Sequence, residues 1–130
     1  LPSLVAAGGA AVYLASVSAS LTPPWPGLGA YTVSKAALDK LVEAFRAEHP
    51  TVGFTRIVVG DCAGGEVDAQ TEFPNGWDFT YAAEVAPIWR QREYMNGGLT
   101  EVAELLRVVD AVLRCAAAIP SVTVTPRPPT

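Results

Sequence analysis

Tyr31 and Lys35 stand four residues apart, and two serines, Ser16 and Ser18, precede them across a proline-rich stretch. Residues four apart on a helix share a face. A helix opening near residue 30 would therefore turn the phenol and the ammonium the same way. An ammonium beside a phenol favours the phenolate, so the phenol can exchange a proton with a substrate oxygen near neutral pH. A serine hydroxyl at the end of a preceding strand would hold that same oxygen. Together these groups make acid–base machinery for interconverting a carbonyl and an alcohol.

Three strands and their connecting helices must position this set. Residues 10–15 form a short apolar run after Gly8-Gly9, which predicts a strand buried on both faces, as in parallel sheets. Three prolines and a glycine within residues 22–27 can only be a loop. From residue 30 to about 48, Ala37, Leu38, Leu41, Val42 and Phe45 recur at helical spacing, with Asp39, Lys40, Glu43, Arg46 and Glu48 on the other face. His49-Pro50 ends that helix, because the residue before a proline avoids helical geometry. Residues 54–59 are rich in β-branched side chains and predict a second buried strand. A long polar loop follows, through residue 78. Residues 80–94 read as one helix or two, with Pro87 as a first-turn or kink residue. Thr100 is expected to cap a further helix running to about residue 117, with acidic residues in its first turn. Residues 122–125 form a last short strand. Strands alternating with helices imply parallel pairing and right-handed crossovers.

Composition narrows the function. The chain has 130 residues, half of them hydrophobic and 17% charged, which suits one domain with a real core. Its net charge is −4 and no basic run exists, which argues against a nucleic-acid partner. The longest apolar run, residues 4–14, is too short to span a bilayer, and no basic segment precedes it as in a signal peptide. Two distant cysteines and a single histidine make no metal-ligand pattern, so no metal is expected, and a reducing cytoplasm fits. The first residue is Leu1, as expected of a fragment or a processed chain.

The arrangement Ser16-Val17-Ser18, then Tyr31-x-x-x-Lys35-Ala36-Ala37 on a strand–loop–helix frame, resembles the short-chain dehydrogenase/reductase family over essentially the whole chain. The resemblance implies an α/β fold, a partial Rossmann-type, doubly wound parallel sheet of three strands with intervening helices. Residues 1–130 would be the C-terminal catalytic half of a single such domain. It implies an oxidoreductase dependent on NAD or NADP, acting on a small-molecule carbonyl or alcohol and assembling as a homo-oligomer, often through the Tyr31-bearing helix. Tyr31 would be the catalytic acid/base, Lys35 would tune it and bond the nicotinamide ribose, and a serine would orient the substrate carbonyl. Tyr31, Lys35, Gly60 and Asp61 would face the cofactor.

Three departures from the family's pattern stand out. The family places its serine about thirteen residues before the tyrosine, which selects Ser18, whereas counting along the strand from Gly9 selects Ser16. A two-residue insertion in the proline-rich loop would reconcile Ser16 with the pattern, and Ser16 is the preferred candidate. After Val59 the family commonly carries Pro-Gly, where this chain has Gly60-Asp61-Cys62. An acidic group there disfavours further negative charge nearby. The Gly-rich turn that holds the dinucleotide pyrophosphate at a helix N-terminus is not in this sequence, so this chain by itself is expected to be inactive.

Other residues invite plainer readings. Trp25, Trp77 and Trp89 suit either a substrate pocket or core and lid packing. His49 reads as a helix-end residue, Cys62 as a small loop residue, and Gly64-Gly65 as a loop pair with no helix to follow. Residues 66–78 match the family's substrate lid, but Glu66, Asp68, Glu72 and Asp78 suggest a solvated surface. The rival reading is a non-catalytic remnant that acts as an interaction module, completing a partner's sheet by edge pairing.

Overall fold

The computed structural model describes residues 1–65, 71–95 and 97–129. Its elements run α1 (Pro2–Ala7), β1 (Ala10–Ser16), α2 (Val17–Ser20), α3 (Gly29–Glu48), β2 (Gly53–Val59), α4 (Phe79–Gln91), α5 (Val102–Arg114) and β3 (Ser121–Val124). The three strands form one parallel sheet in the order β1-β2-β3, as the alternation of strands and helices predicts.

Helices cover both faces of the sheet, which is why its strands read as continuous apolar runs. Side chains alternate between faces along a strand. Phe54 accordingly joins Val42 and Val52 under α3, with Leu38 and Phe45 packed alongside. Ile57 and Val59 turn the other way and meet Leu105 and Val112 of α5. A third cluster, Trp25, Val85 and Trp89, lies where the proline-rich loop meets α4.

Several local expectations change. The apolar run at residues 4–14 is split: Gly8 adopts a left-handed φ of 56° that ends α1 and lets β1 start afresh. Thr100 does not cap α5. Its amide donates to the Asp61 carbonyl and its own carbonyl accepts from Ala63, in a bridge beside Cys62, so the cap position passes to Glu101. The helix then stops at Arg114. Residues 79–91 form one helix, and Pro87 lies inside it. Pro87 and Ala83 are both exposed, so the carbonyl that Pro87 cannot satisfy lies on the solvent side. Asp78 is the N-cap of this helix, accepting from the amides of Thr80 (2.9 Å) and Tyr81 (3.1 Å).

Asp39 and Arg46 also leave the solvated face expected for them. Asp39 is buried, accepts from Ser20 Oγ at 2.7 Å and pairs with Arg56 of β2 at 3.3 Å. Arg46 reaches over the sheet to the carbonyls of Phe54 and Pro120. An arginine within a buried strand needs a counter-charge, and α3 supplies it.

Candidate active site

Parallel pairing places the carboxyl ends of β1 and β2 side by side, with Ser16 in register with Val59. Crevices outside the carboxyl ends of such strands are where α/β sheets bind ligands. Beyond Val59 comes Gly60, whose amide donates to the Val124 carbonyl at 2.9 Å. A Cβ on Gly60 would lie 3.0 Å from the Thr125 side chain, so a glycine lets the chain pass close to β3 before Asp61.

Ser16 ends β1 and caps the single turn α2, its Oγ accepting from the Ser18 amide at 3.3 Å. The two hydroxyl oxygens lie 3.0 Å apart, and both residues are buried. A hydroxyl has one proton to donate. Whichever serine donates to the other, one hydroxyl proton remains for a third oxygen.

Tyr31 lies in the first turn of α3 and is half-buried. Lys35 follows one turn later. Its Nζ sits 5.8 Å from the centre of the Tyr31 ring and donates to the Leu14 carbonyl of β1 at 2.9 Å. The Tyr31 ring also meets Phe73 edge-on, with centroids 5.1 Å apart.

A cavity of about 450 Å³ joins these parts. Ser16, Ser18, Tyr31, Gly60 and Asp61 all line it, so five of the six residues singled out in the sequence share one space. Lys35 stands behind Tyr31 rather than on the cavity wall. Asp61 is the only charged residue among the described ones that line it. All three tryptophans line it as well, while Trp25 and Trp89 also belong to a buried cluster, so pocket and core roles coincide.

Sequence reasoning missed most of the apolar wall. Phe73, Pro74, Met95 and Leu99 face the cavity, although the segment around Phe73 reads as a solvated surface. The available signal was Phe73 and Trp77, two aromatics in an otherwise polar loop. Glu66 and Asp68 of the same loop lie outside the described residues. Gly64 is held at φ 66°, and a Cβ there would meet Thr71 Oγ1 at 2.5 Å, so this loop closes only over a glycine. Cys62 packs against the Ile57 cluster as a small loop side chain. His49 ends α3 through its backbone amide, which donates to the Phe45 carbonyl at 2.8 Å.

Among the described residues no group of three His, Cys, Asp or Glu side chains could hold a metal ion, and no helix is long and apolar enough to cross a membrane.

Solved structures share this architecture. An alcohol dehydrogenase from the archaeon Thermococcus sibiricus, complexed with 5-hydroxy-NADP, matches with a TM-score of 0.65 and 19% identity, over 95% of this chain and 44% of that one. A short-chain dehydrogenase from Streptomyces avermitilis matches with a TM-score of 0.66 and 23% identity, over 96% of this chain and 46% of that one. The fold is thus the one found in short-chain dehydrogenases, a partial Rossmann-type α/β sheet, and the chain spans less than half the length of either match. No family model matches the chain, and no curated protein matches it in sequence.

Proposed function

We propose that the chain is the C-terminal catalytic part of an oxidoreductase that interconverts a carbonyl and a secondary alcohol, using NAD or NADP. The observation that carries this reading is the single cavity onto which Tyr31 and the Ser16–Ser18 pair open, with Lys35 one helical turn behind the phenol. The fold shared with two dehydrogenases supports it.

The residues present fit the nicotinamide end of such a cofactor. The cavity opens at the carboxyl ends of β1 and β2, and Gly60 contributes to its lining there. An ammonium has three donors, so Lys35 can bond the Leu14 carbonyl and still serve ribose hydroxyls. Tyr31, Lys35, Gly60 and Asp61 would hold this end. The pyrophosphate has no matching Gly-rich turn in the sequence. When bound, the dinucleotide supplies or accepts the hydride.

The chain's own groups handle the oxygen and its proton. The spare hydroxyl proton of the serine pair donates to the substrate oxygen and orients the carbonyl. Tyr31 Oη gives its proton to that oxygen as negative charge builds on it during reduction, and takes it back during oxidation. The Lys35 ammonium places positive charge near the phenolate left behind. The apolar wall of the cavity limits water around these polar groups. Exposed Val33 and Leu41 on α3 suit a homo-oligomer formed through that helix.

The test is Tyr31→Phe in the intact gene product, with turnover followed by nicotinamide absorbance. Loss of roughly 10²- to 10⁴-fold in kcat with an unchanged fold is expected. Surviving turnover would remove Tyr31 from the acid/base role.

A second reading has one observation behind it. Among the described residues β1 pairs only with β2, which leaves its outer edge open to a strand from another chain. In that case the chain acts as an interaction module, and Tyr31→Phe changes nothing measurable.

A further inference from the structure

We infer that the cavity selects an uncharged ketone or secondary alcohol whose body is an aromatic or fused-ring hydrocarbon. This rests on the oxidoreductase reading for the polar end of the ligand alone.

The wall of the cavity is a continuous run of rings that starts at the acid/base group. Tyr31 meets Phe73 at 5.1 Å, Phe73 meets Trp77 at 5.3 Å, Trp77 meets Trp89 at 6.3 Å, and Trp89 meets Trp25 at 5.5 Å. None of these pairs is parallel, with interplanar angles between 47° and 83°. Tilted and edge-on contacts of this kind are those that aromatic rings favour with one another, so a ligand ring can extend the series.

Two of the indoles offer a ligand carbon surface only. The Trp25 N–H donates to Thr22 Oγ1 at 2.9 Å, and the Trp89 N–H donates to the Pro26 carbonyl at 2.9 Å. An indole has no other donor. Hydroxyl groups come from Ser16, Ser18 and Tyr31 at the sheet end and α3, with Thr71 and Asp61 as the other polar side chains of the lining beside the Trp77 indole. A site with few polar groups and an apolar body fits a ligand built the same way.

Charge narrows the class further. No Lys, Arg or His is among the described residues that line the cavity, and Asp61 brings a carboxylate. An anionic ligand would lose its hydration without gaining a cation from the lining, since Lys35 stands behind Tyr31.

The experiment uses the 130-residue chain labelled with ¹⁵N, with the three tryptophan indole N–H resonances as reporters. Three probes are titrated: 1-tetralone, phenylglyoxylate (which adds a carboxylate to an aryl ketone) and acetone (which lacks the ring). Saturable shifts with 1-tetralone, and binding at least about tenfold weaker for the other two, are expected. Phe73→Ala should weaken 1-tetralone about tenfold, since a ring contact and its buried area are lost together. Phe73 is 50% exposed, so this variant does not threaten the core. Trp77→Leu should act in the same direction. Phenylglyoxylate binding as tightly as 1-tetralone, or 1-tetralone binding indifferent to Phe73→Ala, overturns the inference. Turnover is then measured separately on the intact gene product. Reduction of acetone without binding of 1-tetralone would sink the inference and spare the catalytic reading, while binding of 1-tetralone without any turnover would do the reverse.

Discussion

The Lys35 ammonium donates to the main-chain carbonyl of Leu14 at 2.9 Å, tying the helix that carries Tyr31 to the strand that ends in Ser16. One side chain thereby sets the spacing between the two halves of the candidate site. Lys35→Met keeps much of the side chain's apolar stem and removes both the tie and the charge. Turnover in the intact gene product should fall at least about 10²-fold. The thermal midpoint should move little, because the contact is exposed and such changes cost about 0.5 kcal/mol or less. A large drop in the midpoint would make Lys35 a structural residue instead.

The serine pair separates by substitution. Ser16→Ala removes the acceptor for the Ser18 amide as well as a hydroxyl, so it should cost about 1 kcal/mol of stability together with turnover. Ser18→Ala leaves that amide bond in place and should cost less stability, measured by urea unfolding. Both should lower kcat, because the remaining hydroxyl keeps its proton but loses the partner that orients it toward the substrate. If one variant keeps full kcat, the other serine alone holds the oxygen.

Asp39 joins three elements: Ser20 of α2 bonds it at 2.7 Å and Arg56 of β2 pairs with it at 3.3 Å. Asp39→Ala should destabilise the chain by roughly 1–3 kcal/mol, because it strands a largely covered guanidinium. Arg56→Met in the same chain should recover part of that loss, since the uncompensated charge disappears with it. A double-mutant cycle in urea reads the coupling directly. Additive losses would show that the pair contributes nothing beyond its separate contacts.

Tyr13 gives stability a dependence on alkaline pH. Burial pushes its phenol above the ordinary value of 10.0, with Arg46 opposing and Asp39 reinforcing the shift. The unfolded chain therefore loses this proton before the folded one does. The contribution is fully present below about pH 10 and is lost as pH rises from there through the higher folded value. Tyr13→Phe has no such proton and should show a shallower loss of unfolding free energy between about pH 9 and 11. At neutral pH it should be neutral or slightly stabilising, because the Tyr13 hydroxyl is buried with no hydrogen-bond partner among the described residues. Identical alkaline limbs for the two chains would show that the phenol titrates alike folded and unfolded.

Local rules written in the sequence determined a good deal of this protein. The apolar runs at residues 10–15 and 54–59 gave strands, and helical spacing with a His49-Pro50 stop gave α3 with its end in place. Four-residue spacing alone puts Tyr31 and Lys35 on one face of that helix. Where long-range partners compete with local preference, the same rules failed. Thr100 is a good helix cap by type, yet its backbone is taken by Asp61 and Ala63 across the sheet end. Asp39 looks like surface charge, yet Arg56, seventeen residues away, draws it inward. The cavity is the furthest from local rules. Phe73, Trp77, Trp89 and Trp25 are scattered in the chain and become one wall only when the loop, α4 and the proline-rich segment fold against each other. A helix or a strand is decided by neighbours in sequence, whereas the shape and polarity of a cavity depend on which distant side chains exclude water together, and only the tertiary structure decides that.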